Sequence, residues 1–492
     1  MILAIDQGTT QTTCIVFDQD SQPLGRASRE IEQHFPQPGW VEHDAGEIWD
    51  SVVTTAEAAL RDAAVAPREL EAIGITNQRE TVVAWDRQSG EPLHRALVWQ
   101  DRRTAARCDE LRAAGHEDFF RERTGLVLDP YFSGTKFEWL LDNVPGLRAR
   151  AEEGRAALGT VDAWLIFKLT GEHATDPSNA SRTLLYDLHD GGWNDAALEL
   201  LSVPRGALPE LRPSCGVIGV TRPELLDGAA VAVAGVAGDQ QAALFGHGCV
   251  ERGLGKNTYG TGSFVLLNSG SSPPPPAPGL LATVAWGIGD RREFASEAAI
   301  FVTGAAVQWL RDGLGIIERA EQTEALAASL DSNDGVYFVP ALTGLGSPHW
   351  DPYARGTIVG LTRGTGRAQI ARATLEAIAY QTVDAVRAME SAGGELMLEL
   401  RADGGATDNR WLMQFQADVL GAPVVVPEVS EMTALGAAYL AGVGVGSMTL
   451  DRVRSSQRVK DSYEPRISSD ERERLLADWH RALERSRAWA RP

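Results

Sequence analysis

Residues Ile2–Asp18 read ILAIDQGTTQTTCIVFD, two apolar runs separated by a short polar tip. The β-branched and aromatic residues on either side of the tip predict two strands, and Gln7-Gly8-Thr9 predicts the turn between them, so the chain opens on a hairpin. Gly8 is read as supplying backbone angles closed to other residues, which lets successive N–H groups and threonine hydroxyls converge on one anion. Asp6, at the end of the first strand, is placed to hold a metal. The plainer reading of the same residues is an ordinary polar hairpin.

A partial echo of this hairpin stands halfway along the chain. GKNTYGTGSFVLLNSG, Gly255 to Gly270, again sets Gly-Thr-Gly-Ser between two strand-like segments. Two such hairpins imply two related halves facing one another across a cleft, with both turns directed at the same phosphates. A boundary near His247–Glu251 fits the repeat, dividing the chain into residues 1–248 and 249–492. SSPPPPAPG (Ser271–Gly279) is then a loop inside the second half rather than a linker. Strand-like runs (LEAIGIT, GVYFVP, LELRADGG) alternate with helical patterns (AGEIWDSVVTTAEAAL, RATLEAIAYQTVDAVRAM), the layout of a mixed α/β protein.

With 46 basic against 67 acidic residues, the formal charge of −21 disfavours nucleic acid as a partner. No window approaches 18 uninterrupted apolar residues, and the opening residues lack the pattern of a secretory signal, so a cytoplasmic protein without a membrane span is expected. Cys14, Cys108, Cys215 and Cys249 are far apart and fit neither zinc spacing nor a disulfide framework; they read as reduced thiols.

The P-loop pattern GxxxxGK[ST] is absent, so any nucleotide must be held differently. Three polar clusters follow apolar runs, where α/β sheets gather ligands: ITNQRET (Ile75–Thr81), VWQDRRT (Val98–Thr104) and VAGVAGDQQAALFG (Val233–Gly246). Arg79 and Glu80 offer donors and an acceptor to a polyhydroxylated molecule, or form an exposed charged pair. Asp239 precedes a helical pattern and reads equally as an N-cap or as a catalytic carboxylate. Trp99, Tyr131 and Phe264 are core aromatics or an apolar wall.

Taken together, DQGTT, PGWVEHD, ITNQRET, DPYFSGTK, AGDQQAALFG, KNTYGTG, WDPYARG and TALGAAYLAG resemble the FGGY family of carbohydrate kinases, over Leu3 to about Gly442. YFSGTKFEWLLDN (Tyr131–Asn143) and GTIVGLTRGTGRAQIARATLE (Gly356–Glu376) are similar to the two signatures of that family. The resemblance implies two actin-like ATPase (ribonuclease H-like) domains, and transfer of a phosphoryl group from ATP with Mg2+ to glycerol, giving sn-glycerol 3-phosphate. It implies that Arg79, Glu80, Tyr131, Asp239 and Gln240 bond the polyol while Trp99 and Phe264 pack on its carbons, and that Asp239 is the base. Thr9, Thr10, Gln11, Gly260 and Thr261 would face phosphates. Gly304, Gln308, Gly405 and Asn409 would line the nucleotide pocket, and Asp6 with Asp239 would serve the metal. A homodimer or homotetramer is expected.

Two departures stand out. The family hairpin commonly continues DQGTTSSR, whereas here Thr13 occupies the arginine position. Leu225–Gly238 contains neither the arginine of members inhibited by a sugar bisphosphate nor the histidine of members activated by phosphorylation, so both controls are expected to be absent. The competing readings are a kinase for another polyol or ketose, and a catalytically idle actin-like binding protein; retained Asp6 and Asp239 speak against the last.

Overall fold

The computed structural model describes residues 1–393 and 396–490. Both expected hairpins form. β1 (Ile2–Gln7) and β2 (Gln11–Phe17) pair antiparallel, with Asp6 opposite Thr13. They are followed by β3 (Pro23–Glu30), β4 (Ala72–Asn77), β5 (Cys215–Val220) and β6 (Ala232–Gly238). The second half begins with β7 (Leu254–Tyr259), β8 (Ser263–Gly270), β9 (Leu281–Ile288) and β10 (Arg291–Ile300). It ends with β11 (Glu399–Asp403), β12 (Val424–Pro427) and β13 (Val459–Tyr463). These strands form one sheet in the order β13-β12-β11-β7-β8-β10-β9-β5-β6-β4-β1-β2-β3.

The repeat suggested by the hairpins is a repeat of topology. In the first half β1–β2 and β2–β3 are antiparallel, β1–β4 and β4–β6 parallel, and β6–β5 antiparallel. The second half repeats that sequence of signs through β7–β8, β8–β10, β7–β11, β11–β12 and β12–β13. The extra strand β9 joins the copies, meeting β5 through the single pair Cys215↔Ile288. The polyproline stretch lies in the loop between β8 and β9, inside the second half as expected.

Helix α1 (Ala45–Asp62) is capped by Asp44, whose carboxylate accepts the N–H groups of Gly46 and Glu47. It buries Ile48, Val52, Ala56 and Ala59 along one stripe against β2 and β3. Helix α2 (Val161–Thr170) backs the same half. Between the halves lies α3 (Asp239–Gly246), which starts where β6 ends. In the second half, α4 (Arg367–Gly393) and α5 (Arg410–Leu420) cover the sheet, and α7 (Ser469–Ser486) packs outside them.

One helix crosses over. α6 (Met432–Gly444), the TALGAAYLAG segment, belongs in sequence to the second half but lies on β1, β4 and β6 of the first and against α3. Its small residues make this approach possible. A Cβ on Gly436 would stand 1.8 Å from the Ala242 carbonyl oxygen, one on Gly74 2.1 Å from that of Ala437, and one on Gly235 2.2 Å from the Ala441 nitrogen. All four cysteines are buried and free. No described helix is long and apolar enough to cross a membrane.

Candidate active site

The first hairpin turns at Gly8-Thr9-Thr10, one residue later than the sequence reading, closed by the Gly8 N–H to the Gln11 carbonyl at 2.9 Å. Gly8 is not in the left-handed region, so the conformational argument for it fails. Its requirement is steric: a Cβ there would sit 3.1 Å from the Gln11 oxygen. Thr9, Thr10 and Gln11 line the accessible tip. The Thr9 hydroxyl accepts the Trp99 indole N–H at 2.8 Å, which ties the hairpin to the aromatic wall of the neighbouring pocket.

Behind the tip, Asp6 is flanked by acids. Burial first, then the charges of Asp239 and Glu431, push its carboxyl up to about 7, and Arg26 only partly opposes them. A carboxylate stacked against like charges is the donor chemistry of a hard-cation site, and magnesium typically takes one or two carboxylates together with water and substrate phosphates. The described residues contain no group of three or more His, Cys, Asp or Glu side chains that could hold a metal on their own.

Arg79 and Glu80 follow β4 and are buried, which overturns the exposed-pair alternative. Glu80, three residues beyond the end of β4, has φ +62°, a left-handed backbone. Arg79 donates to Glu297 twice, Nη1 to Oε2 at 2.6 Å and Nη2 to Oε1 at 3.0 Å, and Nη1 also reaches Gln241 Oε1 at 3.2 Å. Its Nε stands 3.1 Å from Asp239 Oδ1. Arg182 completes the network, donating through Nε to Glu80 Oε1 at 2.6 Å and through Nη2 to Glu297 Oε1 at 3.0 Å. Burial works against the Glu297 charge, but the two guanidinium groups outweigh it and hold the carboxyl down at about 2. The same carboxylates hold Arg79 well above its ordinary value despite its burial.

Asp239 is the first residue of α3, whose N-cap is Gly238. The N-cap reading is therefore replaced: its Oδ1 faces Arg79 and accepts the Gln240 N–H at 2.7 Å, and a third of the side chain remains exposed. Gly238 makes room, since a Cβ there would lie 2.7 Å from the Arg79 Cδ. Around this cluster Trp99 meets Tyr131 edge to face at 5.6 Å, and Phe264 lies under the Arg79 guanidinium at 5.9 Å. Arg79, Glu80, Trp99, Tyr131, Asp239 and Phe264 thus gather into one polar cluster with an aromatic side.

Gln240 carries a feature that the sequence did not flag. Its side-chain oxygen accepts a hydrogen bond from Lys256 Nζ, a fully buried ammonium on β7 that also donates to Thr258 Oγ1 at 2.8 Å. Burial pulls Lys256 down to about 8, against the pull of Asp403 and Asp239.

The second hairpin turns at Gly260-Thr261-Gly262 and is locked to the short helix Gly304–Gln308. The N–H groups of Gly304 and Ala305 donate to the carbonyls of Gly260 and Thr261 at 3.1 and 3.0 Å. A Cβ on Gly304 would come 2.6 Å from the Gly260 oxygen, so glycine is needed for this lock. Gly405 begins a 3-10 turn just after β11, beside β7. Asn409 caps α5 by accepting the Leu412 N–H and donates to Thr323 Oγ1 at 3.1 Å. Gln308 is exposed at the end of its helix, and no hydrogen bond among the described residues joins it to Asn409.

Glu297, Arg182, Gln241 and Lys256 were missed by sequence reasoning. The available signal was weak: a lone acid in the apolar run FASEAAIFV and a lone base in NASRTLLY.

The N-terminal domain of the FGGY family of carbohydrate kinases matches residues 1–246 and the C-terminal domain residues 255–445. The glycerol kinase of Dechloromonas aromatica (strain RCB) is 56% identical over 492 residues, covering 99% of this chain and 98% of the relative. That of Deinococcus radiodurans is 54% identical over 491 residues, covering 99% and 98%. The crystal structure of Plasmodium falciparum glycerol kinase with ADP superposes with a TM-score of 0.94 at 34% identity, covering 99% of this chain and 98% of that one. The duplicated sheet is thus the two-domain actin-like ATPase fold expected from the sequence, and the chain belongs to the FGGY family of carbohydrate kinases.

Proposed function

We propose that this chain is a glycerol kinase, transferring the γ-phosphoryl group of ATP to glycerol to give sn-glycerol 3-phosphate in glycerol catabolism. The observation that carries the reading is the Arg79 guanidinium, which binds Glu297, Gln241 and Asp239 beside Glu80 and leaves one N–H unspent. A cluster with one free donor, the Asp239 and Glu80 carboxylates and an aromatic side fits a small polyol with adjacent hydroxyls.

In the reaction, Asp239 Oδ1 stays fixed by Arg79 and the Gln240 N–H, and Oδ2 is the oxygen that orients the alcohol. As the alcohol oxygen bonds to the γ-phosphorus and the bond to the bridging oxygen of ADP breaks, the hydroxyl proton passes to Asp239. A positioned base of this kind contributes typically about 10²–10⁴-fold; alignment and charge stabilisation supply most of the rest. Mg2+ at Asp6 and Asp239 would neutralise the phosphate oxygens. The tip residues Thr9, Thr10, Gln11, Gly260 and Thr261 face the phosphates, while Gly304, Gln308, Gly405 and Asn409 border the nucleoside. Specificity arises at the unspent Arg79 N–H and the second Glu80 oxygen, because an analogue lacking a hydroxyl leaves these without a partner. We place the domain division at 248/249 and assign the protein to the cytoplasm as a homodimer or homotetramer.

A coupled assay of ADP release across glycerol, erythritol, xylulose and gluconate tests the substrate. Glycerol is expected to give the highest kcat/KM; preference for a five-carbon ketose would overturn the assignment.

A further inference from the structure

The buried Lys256 has no part in the transfer as described, yet it reaches from β7 of the second half to Gln240 on α3, next to Asp239. Its two hydrogen bonds run to neutral oxygens, those of Gln240 and Thr258, while the nearby Asp403 carboxylate is paired with His247 at 3.3 Å. Burying an ammonium costs stability that an apolar side chain of similar size does not, and the nearby charges of Asp403 and Asp239 offset only part of that burial. An ammonium only donates, so the Gln240 amide must present its oxygen to Lys256 and its NH2 group elsewhere. Gln240 is partly exposed at the first turn of α3, one residue from Asp239, and no partner for that NH2 appears among the described residues.

We propose that Lys256 is a positioning residue for the polyol: it locks the Gln240 amide so that the NH2 group donates to a substrate oxygen beside Asp239. The lock spans the two halves, so donor and phosphate hairpin move as one piece. This rests on the glycerol kinase reading.

The test is a double-mutant cycle with K256M, Q240A and the pair, read as KM for glycerol, KM for ATP, kcat and thermal midpoint. K256M is expected to raise KM for glycerol about tenfold, leave KM for ATP within about twofold, and leave the midpoint unchanged or higher. On the Q240A background the same change is expected to add less than about twofold, because the residue it acts through is gone. A glycerol KM within about twofold of wild type, or effects of the two substitutions that multiply, would overturn the proposal. Should K256M fail to fold, K256L, which likewise has no donor for the Gln240 oxygen, replaces it with the same expectations for the cycle. Wild-type protein that does not phosphorylate glycerol would instead overturn the kinase reading itself.

Discussion

The metal-holding role proposed for Asp6 runs against what an ionised carboxylate there does for folding. Its carboxyl is raised to about 7 by burial and by the charges of Asp239 and Glu431, against 3.8 for an unperturbed aspartate. Because the folded-state value lies above the unfolded one, the favourable contribution of the protonated group is complete below about pH 4 and is lost as pH rises through 7. The interval of 3.2 pH units, 7 minus 3.8, at about 1.36 kcal/mol each, amounts to roughly 4 kcal/mol of stability forfeited by pH 8. Asp6→Asn removes the charge while keeping the shape. The ligand-free variant should therefore be more stable than wild type at pH 8 by up to that amount, the gap closing towards pH 4, while its kinase activity falls severely. Urea unfolding followed by tryptophan fluorescence at pH 4, 6 and 8, without added magnesium or nucleotide, measures the gap. A variant less stable than wild type at pH 8, or a gap independent of pH, would refute the reasoning.

Asp239→Asn should lower turnover by about 10²–10⁴ with ADP affinity retained, and turnover within a few-fold of wild type in steady-state kinetics would remove Asp239 as the base. Thr13 is buried and bonded to Ser28 at 3.0 Å, so the hairpin is satisfied as it stands. Thr13→Arg should change kcat/KM for ATP by roughly tenfold or less, and rescue of a near-silent wild type would contradict this. With no arginine or histidine in Leu225–Gly238, saturating fructose 1,6-bisphosphate should leave the rate unchanged; inhibition at millimolar effector would contradict that expectation. Gly436→Ala drives a Cβ onto the Ala242 backbone and should cost about 1–3 kcal/mol or more in thermal or urea unfolding, with an unchanged midpoint as the contrary result.

What the sequence disclosed was local. The hairpins were legible because apolar alternation around a glycine-threonine tip is written in consecutive residues, and their likeness to each other foretold the duplicated sheet. The partners of Arg79 were not legible: Glu297 lies 218 residues away, and nothing near Glu297 or Arg182 in the chain says which strand ends will meet. Gly8 was noticed for the wrong reason, since crowding by a carbonyl oxygen and freedom of φ leave the same letter in a sequence. The α6 segment reads as a helix apolar on every side, and such a helix gives no hint of which sheet it covers.

That placement of α6 bears on how the protein is made. The match to the N-terminal family domain ends at residue 246, yet one face of the sheet in that half is finished only when Met432–Gly444 arrives. A ribosome adding 5–20 residues per second needs about 10–40 s for the intervening stretch of roughly 200 residues. Throughout that interval the nascent half carries an apolar surface with no cover of its own, and chains stalled between the halves are expected to aggregate.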